Sequence, residues 1–275
     1  MKLIKILPFI FTIVIISSCE KDKLLTPQNN ELEEEAEKAI TYNSTHFASP
    51  GQLYYLAKDS TSALAFQLGD SGENVVWDYT ALVENKIDTI IYEQPDIVTF
   101  GDATYSMFSS ITQQTTAGQK TSTDVSFLGY NFLIPVVNLR TPIVFTDKEK
   151  ILKFPSTYLT EFTDESSATV EQNIDTTIIN FPISILITIN YDGKVSSKFD
   201  SWGTVKTPTG EYKCIREHRT EIQNINIATT PQLFPIAPIV DTVVYYNYYS
   251  TSSGYPVVKV TMDAQSNVQY IHYLK

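Results

Sequence analysis

Cysteine and histidine are scarce in this sequence, which has two cysteines and three histidines among 275 residues. Zinc sites of the Cys/His type need several such ligands close together, and the sequence offers neither a second cysteine near Cys214 nor a close pair of histidines. We therefore predict no metal site. Cys214 lies in the strand-like stretch Tyr212-Lys213-Cys214-Ile215 and is predicted to be a small buried hydrophobic residue.

A catalytic constellation is missing as well. Gly69-Asp70-Ser71-Gly72 resembles the nucleophile loop of chymotrypsin-like proteases, but the only histidine upstream, His46, lies 25 residues before Ser71. A fold of two barrels does not fit into that interval, so we predict a simple turn there. The 31 acidic residues show no spacing that singles out a pair for glycoside hydrolysis. The chain is predicted not to be an enzyme and to use no cofactor.

Basic residues are few. Lysine and arginine number 20 against 31 acidic residues, and charged residues make up 19% of the chain. Because no basic patch stands out, nucleic acid is not expected as a partner. Plentiful Thr, Tyr, Ile and Val favour an extracellular β-rich domain with an acidic, soluble surface.

The amino terminus has the pattern of an export signal. Lys2 and Lys5 precede an apolar run from Ile6 to Ile16, which is too short to span a bilayer but suits the hydrophobic region of a signal peptide. Ile16-Ser17-Ser18-Cys19 then resembles a bacterial lipobox, which implies a signal peptide over residues 1–18 and lipidation of Cys19. An ordinary secretory signal with an unrelated cysteine is the alternative.

Residues 19–39 are predicted to be the lipidated cysteine and an acidic tether. Glu20-Lys21-Asp22-Lys23 is similar to the short signal that directs Bacteroidota lipoproteins to the outer face of the outer membrane, so we expect surface exposure. A periplasm-facing lipoprotein with an ordinary polar tether is the alternative. Residues 31–39, with Asn30 as a cap, are consistent with a short helix or with a disordered spacer.

Residues 40–275 are predicted to form an all-β domain. Strand-like runs alternate with Gly, Pro, Asn and Asp turns, and no long helical period appears. This even spacing suits a sandwich or a barrel. We predict a large antiparallel β-sandwich, or two packed β subdomains with a seam near residue 140.

Several turns and strands can be placed within this domain. Asp192-Gly193 is predicted to be the two-residue turn of a hairpin. Thr207-Pro208-Thr209-Gly210 is predicted to be a second turn, followed by a long strand that begins at Glu211. Three successive strands are predicted near the carboxyl terminus, over residues 243–249, 257–262 and 268–274.

Two segments resemble a family of uncharacterised secreted Bacteroidota proteins. One is the Gly turn and strand that contain Trp77-Asp78-Tyr79-Thr80, and the other runs from Trp202-Gly203-Thr204 to Pro208-Thr209-Gly210. With Pro256-Val257-Val258, the similarity spans about residues 40–275. The resemblance implies a secreted β fold and no particular activity. A lipid anchor would be a departure, because many of these relatives carry a C-terminal sorting domain instead.

Tyrosines give the one pattern that suggests a ligand. Tyr245, Tyr246, Tyr248 and Tyr249 crowd one strand. Tyrosines on a sheet face can stack on sugar rings, although the same residues also stabilise cross-strand pairs and fill cores. Glycan binding at these four residues is therefore an alternative function.

Two histidines lie in predicted strands. His218, with its charged neighbours Arg216, Glu217 and Arg219, is predicted to belong to a solvated strand face with cross-strand ion pairs. His272, in the last strand, is predicted to be a partly buried ring.

Four Asp-Ser/Thr triplets resemble the acceptor site of Bacteroidota protein O-glycosylation. We therefore predict that at least one of four residues carries a glycan: Ser60, Thr89, Thr176 or Thr242.

Taken together, these patterns predict a lipid-anchored, surface-exposed envelope protein with a binding or structural role. Its partners are expected to be the outer membrane, reached through the lipid, and a glycan or another envelope protein. The alternative is a glycan-binding surface lipoprotein of an uptake system that uses the four tyrosines.

Overall fold

The computed structural model describes residues 38–61, 66–134, 139–178, 181–232 and 237–275. The predictions of a signal peptide, of lipidation at Cys19 and of a tether helix fall outside the described residues and stay predictions. The segment Glu37–Lys275 clusters as a single unit. The seam predicted near residue 140 falls inside a strand, Leu139–Lys153.

The described part of the chain is almost entirely β-structure, as the strand-like pattern predicted. The strands are β1 (Leu53–Asp59), β2 (Gly72–Asp78), β3 (Lys86–Glu93), β4 (Tyr105–Ser109), β5 (Gln114–Lys120), β6 (Asp124–Ile134), β7 (Leu139–Lys153), β8 (Glu161–Ile178), β9 (Phe181–Thr207), β10 (Gly210–Thr230), β11 (Ile239–Tyr249), β12 (Val258–Met262) and β13 (Val268–Leu274). The helix α1 (Ile97–Phe100) is a single turn whose first N–H groups are capped by Asp96. Within the described ranges, no helix is long and apolar enough to cross a membrane.

Twelve strands form a closed antiparallel barrel, so the prediction of a β-sandwich is wrong. Their order is β10-β11-β12-β13-β1-β3-β4-β5-β6-β7-β8-β9, and β9 pairs with β10 to close the ring. The β9–β10 ladder runs from Gly210↔Thr207 to Thr230↔Leu186 with one irregularity. A sandwich and a barrel share the same alternation and turn spacing. The difference lies in this long pairing, which leaves no free edge in the ring.

Strand β2 lies outside the ring. It runs parallel to the carboxyl-terminal half of β9, from Gly72↔Ser201 to Asp78↔Lys206, beyond the last β8–β9 pair at Glu161↔Lys198. β2 and the residues after it pack against the outer face of the barrel. We call this apolar cluster the outer core; it comprises Ala57, Trp77, Tyr79, Leu82, Val205, Cys214, Tyr248, Val257, Val258, Val260, Met262, Val268, Ile271 and Tyr273.

The first described residues enter one end of the barrel. Tyr42 and Ser156 exchange two backbone hydrogen bonds of 2.9 Å, and Tyr42, Phe47 and Ala48 are buried. With inward-facing strand residues they form an inner core, which comprises Tyr42, Phe47, Ala48, Leu56, Ile90, Tyr92, Tyr105, Val125, Leu152, Phe154, Phe199, Trp202, Ile215 and Tyr249. This end of the barrel is therefore filled by side chains.

The strands differ greatly in length at the other end. β12 ends at Met262, which pairs with Val244, and Val244 pairs in turn with Thr220 of β10. β10 continues from there to Thr230. At about 3.3 Å per residue, it extends roughly 30 Å further along its own length than its neighbours on the short side of the barrel. Apolar residues pack together along this wall; they comprise Ile143, Ala168, Ile185, Ile187, Ile189, Tyr191 and Ile225.

The hairpin turn predicted at Asp192-Gly193 is wrong, because both residues lie in the middle of β9. Gly193 is needed there for space. A Cβ at this position would lie 2.4 Å from Ser166 Oγ and 2.6 Å from Tyr191 Oη. The turn predicted at residues 207–210 is confirmed, since Gly210 of β10 pairs with Thr207 of β9. The three carboxyl-terminal strands are confirmed as β11, β12 and β13.

Candidate functional site

Two adjoining cavities occupy the barrel interior. The large cavity has a volume of about 400 Å³, and the small cavity has a volume of about 100 Å³. Phe127 and Glu221 line both of them. A volume of several hundred Å³ in the mouth of a β-barrel is typical of a small-molecule site.

The large cavity is bounded by β5, β6, β7, β9 and β10, with aromatic, amide, hydroxyl and charged side chains. Its lining comprises Thr112, Gln114, Thr116, Phe127, Tyr130, Asn131, Arg140, Phe145, Glu149, Tyr191, Glu221, Gln223 and Ile225. Phe145 and Tyr191 stack on each other, with ring centroids 5.0 Å apart and planes 9° apart. Tyr130 meets Tyr191 edge-on at 6.3 Å.

Five neutral polar side chains of the large cavity have no hydrogen-bond partner in the described part of the protein. They are Thr112, Gln114, Thr116, Asn131 and Gln223. Thr112 is exposed and the other four are half-buried, so solvent can reach all of them. These amides and hydroxyls are therefore free to bond to water or to a ligand in the cavity.

An ion-pair network borders both cavities. Arg219 Nε donates to Glu221 Oε1 at 2.5 Å, and its Nη2 lies 3.3 Å from Glu149 Oε1. Arg219 Nη1 also donates to the Ile151 carbonyl at 2.7 Å. Arg219 and Glu149 are both buried. The guanidinium thus neutralises two carboxylates that face the cavity.

The pKa of Glu149 is raised above its ordinary value. Burial is the main cause, and the nearby Glu221 carboxylate adds to it. Arg219 acts in the opposite direction, as do the hydroxyls of Ser166 and Tyr191, which each donate to Glu149 Oε2 at 3.1 Å. Glu149 is consequently a buried carboxylate whose charge depends on its partners.

A second buried carboxylate, Glu217, is fully satisfied by neutral donors. Ser197 Oγ donates to it at 2.6 Å, Asn247 Nδ2 at 2.8 Å and Tyr249 Oη at 3.3 Å. These partners come from β9 and β11, the two strands beside β10. The network fixes the inward-facing rows of three adjacent strands.

The expectation of a solvated face around His218 is wrong. Arg216, Glu217 and Arg219 are all buried, because β10 packs on both sides. Arg216 forms a bidentate ion pair with Asp200, at 2.9 and 3.0 Å, and lies over the Trp77 ring at 5.4 Å. The covering segment that contains β2 is what buries this face, and a strand pattern alone does not show such a cover.

The four clustered tyrosines do not share one face. Tyr245 and Tyr249 line the small cavity, whereas Tyr246 and Tyr248 belong to the outer side of β11. Tyr248 is buried and hydrogen-bonded to Tyr79, and Tyr246 stacks on His218 at 4.6 Å. Because strand residues alternate, the four rings divide into two pairs, and the buried Tyr248 and Tyr249 present no ring to solvent.

The predicted O-glycosylation acceptors lie in different settings. Ser60 is exposed just after β1, and Thr89 and Thr242 are half-buried in β3 and β11. The Thr176 side chain lies outside the described residues, as does Cys19. The predictions for Cys214 and His272 are confirmed, because Cys214 is fully buried and the His272 ring is half-buried.

The residues of the barrel interior were not singled out from sequence. Arg219 and Glu149 are distant in the chain, and β8 and β9 lie between their strands in the ring. The one local signal is the spacing of Glu217, Arg219 and Glu221 on β10. Because they are two residues apart, these three charged side chains share one face of the strand. No group of three or more His, Cys, Asp or Glu in the described ranges is placed to hold a metal ion.

Comparison with known proteins identifies no family for this chain. No protein-family model matches the chain, and no curated protein matches it. Among solved structures, the chain is similar to the crystal structure of a candidate exported protein with a YmcC-like fold from Bacteroides fragilis. The identity is 12% and the TM-score 0.30, over 83% of this chain and 97% of that chain. A TM-score of this size does not establish a shared fold.

Proposed function

We propose that this protein is a lipid-anchored envelope protein that binds a small molecule inside its barrel. The observation that carries the binding role is the large cavity of about 400 Å³, with its five neutral polar side chains that have no described protein partner. Aromatic walls beside convergent amides and hydroxyls are the usual make-up of a ligand site. A purely structural barrel would be expected to fill this space with side chains.

The anchor is proposed on sequence grounds alone. The lipobox at Ile16-Ser17-Ser18-Cys19 supports lipidation of Cys19 and attachment to the outer membrane, and Glu20-Lys21-Asp22-Lys23 supports exposure on the cell surface. A periplasm-facing orientation is the alternative. Export would also expose the predicted acceptor residues to O-glycosylation. An intact mass that contains only peptide and lipid would contradict glycosylation.

Binding is favoured over hydrolysis. The two carboxylates of the large cavity, Glu149 and Glu221, share Arg219 as their partner, and Glu149 also accepts bonds from two hydroxyls. A general acid or base must lie within hydrogen-bond reach of the proton that it transfers, and the bonds of these two carboxylates go to groups of the protein. Carboxylates that are already bonded to protein groups in this way favour a binding role over hydrolysis.

The lining of the large cavity also suits a glycan ligand. Amide and hydroxyl side chains match the donors and acceptors of sugar hydroxyls, and Gln114, Asn131 and Gln223 supply three such amides. Tyr248 and Tyr249 are buried, so support for glycan binding comes from the interior of the barrel.

The test uses two neighbouring residues on opposite faces of β5. Thr116 lines the large cavity, whereas Thr115 follows the opposite parity and points outward. The full-length protein in detergent would be titrated against a library of small molecules, with thermal shift and calorimetry as readouts. We expect hits that are abolished by Thr116→Trp and kept by Thr115→Trp. Hits that survive in Thr116→Trp, or no hits at all, would contradict a ligand site in the barrel.

A further inference from the structure

Three basic side chains form a row across adjacent strands on the inner face of the barrel. His272 of β13 pairs with Lys259 of β12 and with Lys58 of β1. Residues directly opposite each other in antiparallel strands share a face. That face is the interior, because Lys259 lines the small cavity and Leu56, two residues before Lys58, belongs to the inner core.

Neither lysine of this row has a carboxylate within ion-pair distance in the described part of the chain. Each lies over a tyrosine ring instead. Lys58 Nζ is 3.7 Å from the centroid of Tyr270, and Lys259 Nζ is 4.0 Å from that of Tyr245. A ring face stabilises an ammonium but does not neutralise it.

The acids of the interior are already occupied. Asp88 accepts hydrogen bonds from Ser109, Ser110 and the Ile111 N–H, at distances of 2.9 to 3.1 Å. Glu217 is held by three neutral donors, as described above, and Glu149 and Glu221 share Arg219. The two lysines of the basic row are therefore interior cations without a direct counter-ion among the described residues.

Two buried polar atoms at the row also have no hydrogen-bond partner among the residues that the structure describes. They are His272 Nε2 and Thr261 Oγ1. Thr261 is 4% exposed and has the same inward parity as Lys259 on β12. An unmade hydrogen bond in such a place costs on the order of 1–3 kcal/mol. A ligand oxygen in the interior could accept a hydrogen bond from the Thr261 hydroxyl, and a His272 tautomer protonated at Nε2 could donate another.

We propose that the ligand carries an anionic group, a carboxylate or a phosphate, which binds at the row formed by Lys58, His272 and Lys259. This inference rests on the proposed ligand site in the barrel and specifies the chemistry of its occupant. Of the row, Lys259 lines the small cavity, which at about 100 Å³ has room for such a group. The body of the ligand extends past Phe127 into the large cavity, against its aromatic and amide walls.

The electrostatics of Lys259 agree with this assignment. Burial lowers its pKa, and the carboxylates of Glu221, Glu217 and Asp88 offset that shift only in part while Arg219 adds to it. A buried ammonium without a counter-ion is costly. An anion bound next to it would therefore raise the pKa of Lys259 on binding.

The test compares matched acids and neutral analogues: glucuronate with glucose, phenylacetate with phenylacetamide, and glucose 6-phosphate with glucose. The full-length protein, its Lys259→Met variant and the control Lys194→Met would be titrated by calorimetry. Lys194 is exposed on β9 and paired with Glu165, so its loss leaves the interior unchanged. The two sugar acids tell a carboxylate from a phosphate.

We expect at least one acid to bind ten-fold or more tightly than its neutral analogue, and Lys259→Met to remove that preference while the control keeps it. The Tm of each variant and its residual binding of the neutral analogue report whether it is folded. Equal binding of acids and neutral analogues, lost in Thr116→Trp, would overturn the anionic group and leave the barrel site standing. If no compound of any class binds, both proposals fail.

Discussion

Arg219 and Glu149 join two strands that are not neighbours in the ring. The Nη2 atom of Arg219 on β10 lies 3.3 Å from Oε1 of Glu149 on β7, although β8 and β9 stand between these strands. The ion pair therefore crosses the barrel interior. Together with Glu221 it forms a charged layer that borders both the large and the small cavity.

Removing the cation of this layer should destabilise the protein strongly. Arg219→Met would leave two carboxylates facing each other without a counter-ion, one of them buried, and breaking a buried ion pair from one side costs about 3–5 kcal/mol. Urea unfolding at pH 7 measures the change. Lys194→Met, which breaks an exposed pair, should change stability by about 0–1 kcal/mol.

The double variant Glu149→Gln with Arg219→Met provides the matching test. It should be less destabilised than Arg219→Met alone, because one of the uncompensated charges is gone while the hydrogen bonds of residue 149 can persist. Equal losses in the single and the double variant would contradict the role of Arg219 as the neutralising partner.

Stability should fall as the pH drops from about 6.5 to about 4, with His272 as one cause. Burial, together with Lys259 and Lys58, lowers the pKa of His272 to about 4. A depressed folded-state pKa contributes stability that is present above the unfolded pKa and is lost as the pH falls through the folded value. The shift corresponds to about 3 kcal/mol at most.

The measurement for His272 is the free energy of unfolding between pH 4 and pH 8, in the wild type and in His272→Gln. We expect a shallower decline in the variant over the acid part of this range. Parallel curves for the two proteins would show that His272 does not carry this pH dependence.

Gly193→Ala should destabilise the barrel although alanine is the better strand residue. The added Cβ would lie 2.4 Å from Ser166 Oγ and 2.6 Å from Tyr191 Oη, and overpacking of this kind costs about 1–3 kcal/mol. Both hydroxyls donate to Glu149, so the charged layer should also be disturbed. Chemical denaturation measures the loss.

The neighbouring residue offers a control for this prediction. Asp192 is exposed on the same strand, and Asp192→Ala should stay within about 0.5 kcal/mol of the wild type. Adding Ser166→Ala to Gly193→Ala should recover part of the loss by removing one of the two clashing atoms. No loss in Gly193→Ala would mean that β9 and β8 are not packed this closely.

Cys19→Ala should abolish membrane anchoring. Without its thiol the chain cannot accept a diacylglycerol, and the signal peptide cleavage that follows lipidation should fail. Metabolic labelling with a fatty-acid analogue and detergent phase partition measure the effect. Cys214→Ala should keep the label, because that thiol is fully buried. Labelling of both variants would contradict the lipobox.

Local features of the fold could be predicted from the sequence, and its closure could not. The turn at residues 207–210 and the strands β11 to β13 follow from Pro, Gly and β-branched residues that act over a few positions. The pairing of β9 with β8 and β10 along most of its length is set by contacts across the whole ring. Asp192-Gly193 shows the limit, since the same dipeptide serves a tight turn or a tight packing contact.

The residues of the barrel interior could not be predicted for a similar reason. The tyrosines of β11 could be seen as a cluster, but which of them point inward depends on the barrel and on the cover that β2 supplies. Arg219, Glu149 and Lys259 lie far apart in the chain and meet only through strand order. The prediction of lipidation at Cys19, by contrast, depends on a short contiguous motif that can be recognised without tertiary structure.

The most direct test of the barrel site is native mass spectrometry of the full-length protein, released gently from its own membrane in detergent. A ligand site in the barrel predicts a wild-type species carrying an additional small-molecule mass, present also in Thr115→Trp and absent from Thr116→Trp. Wild-type protein without an adduct, even after incubation with an extract of small metabolites, would contradict it. So would an adduct that the Thr116→Trp variant retains.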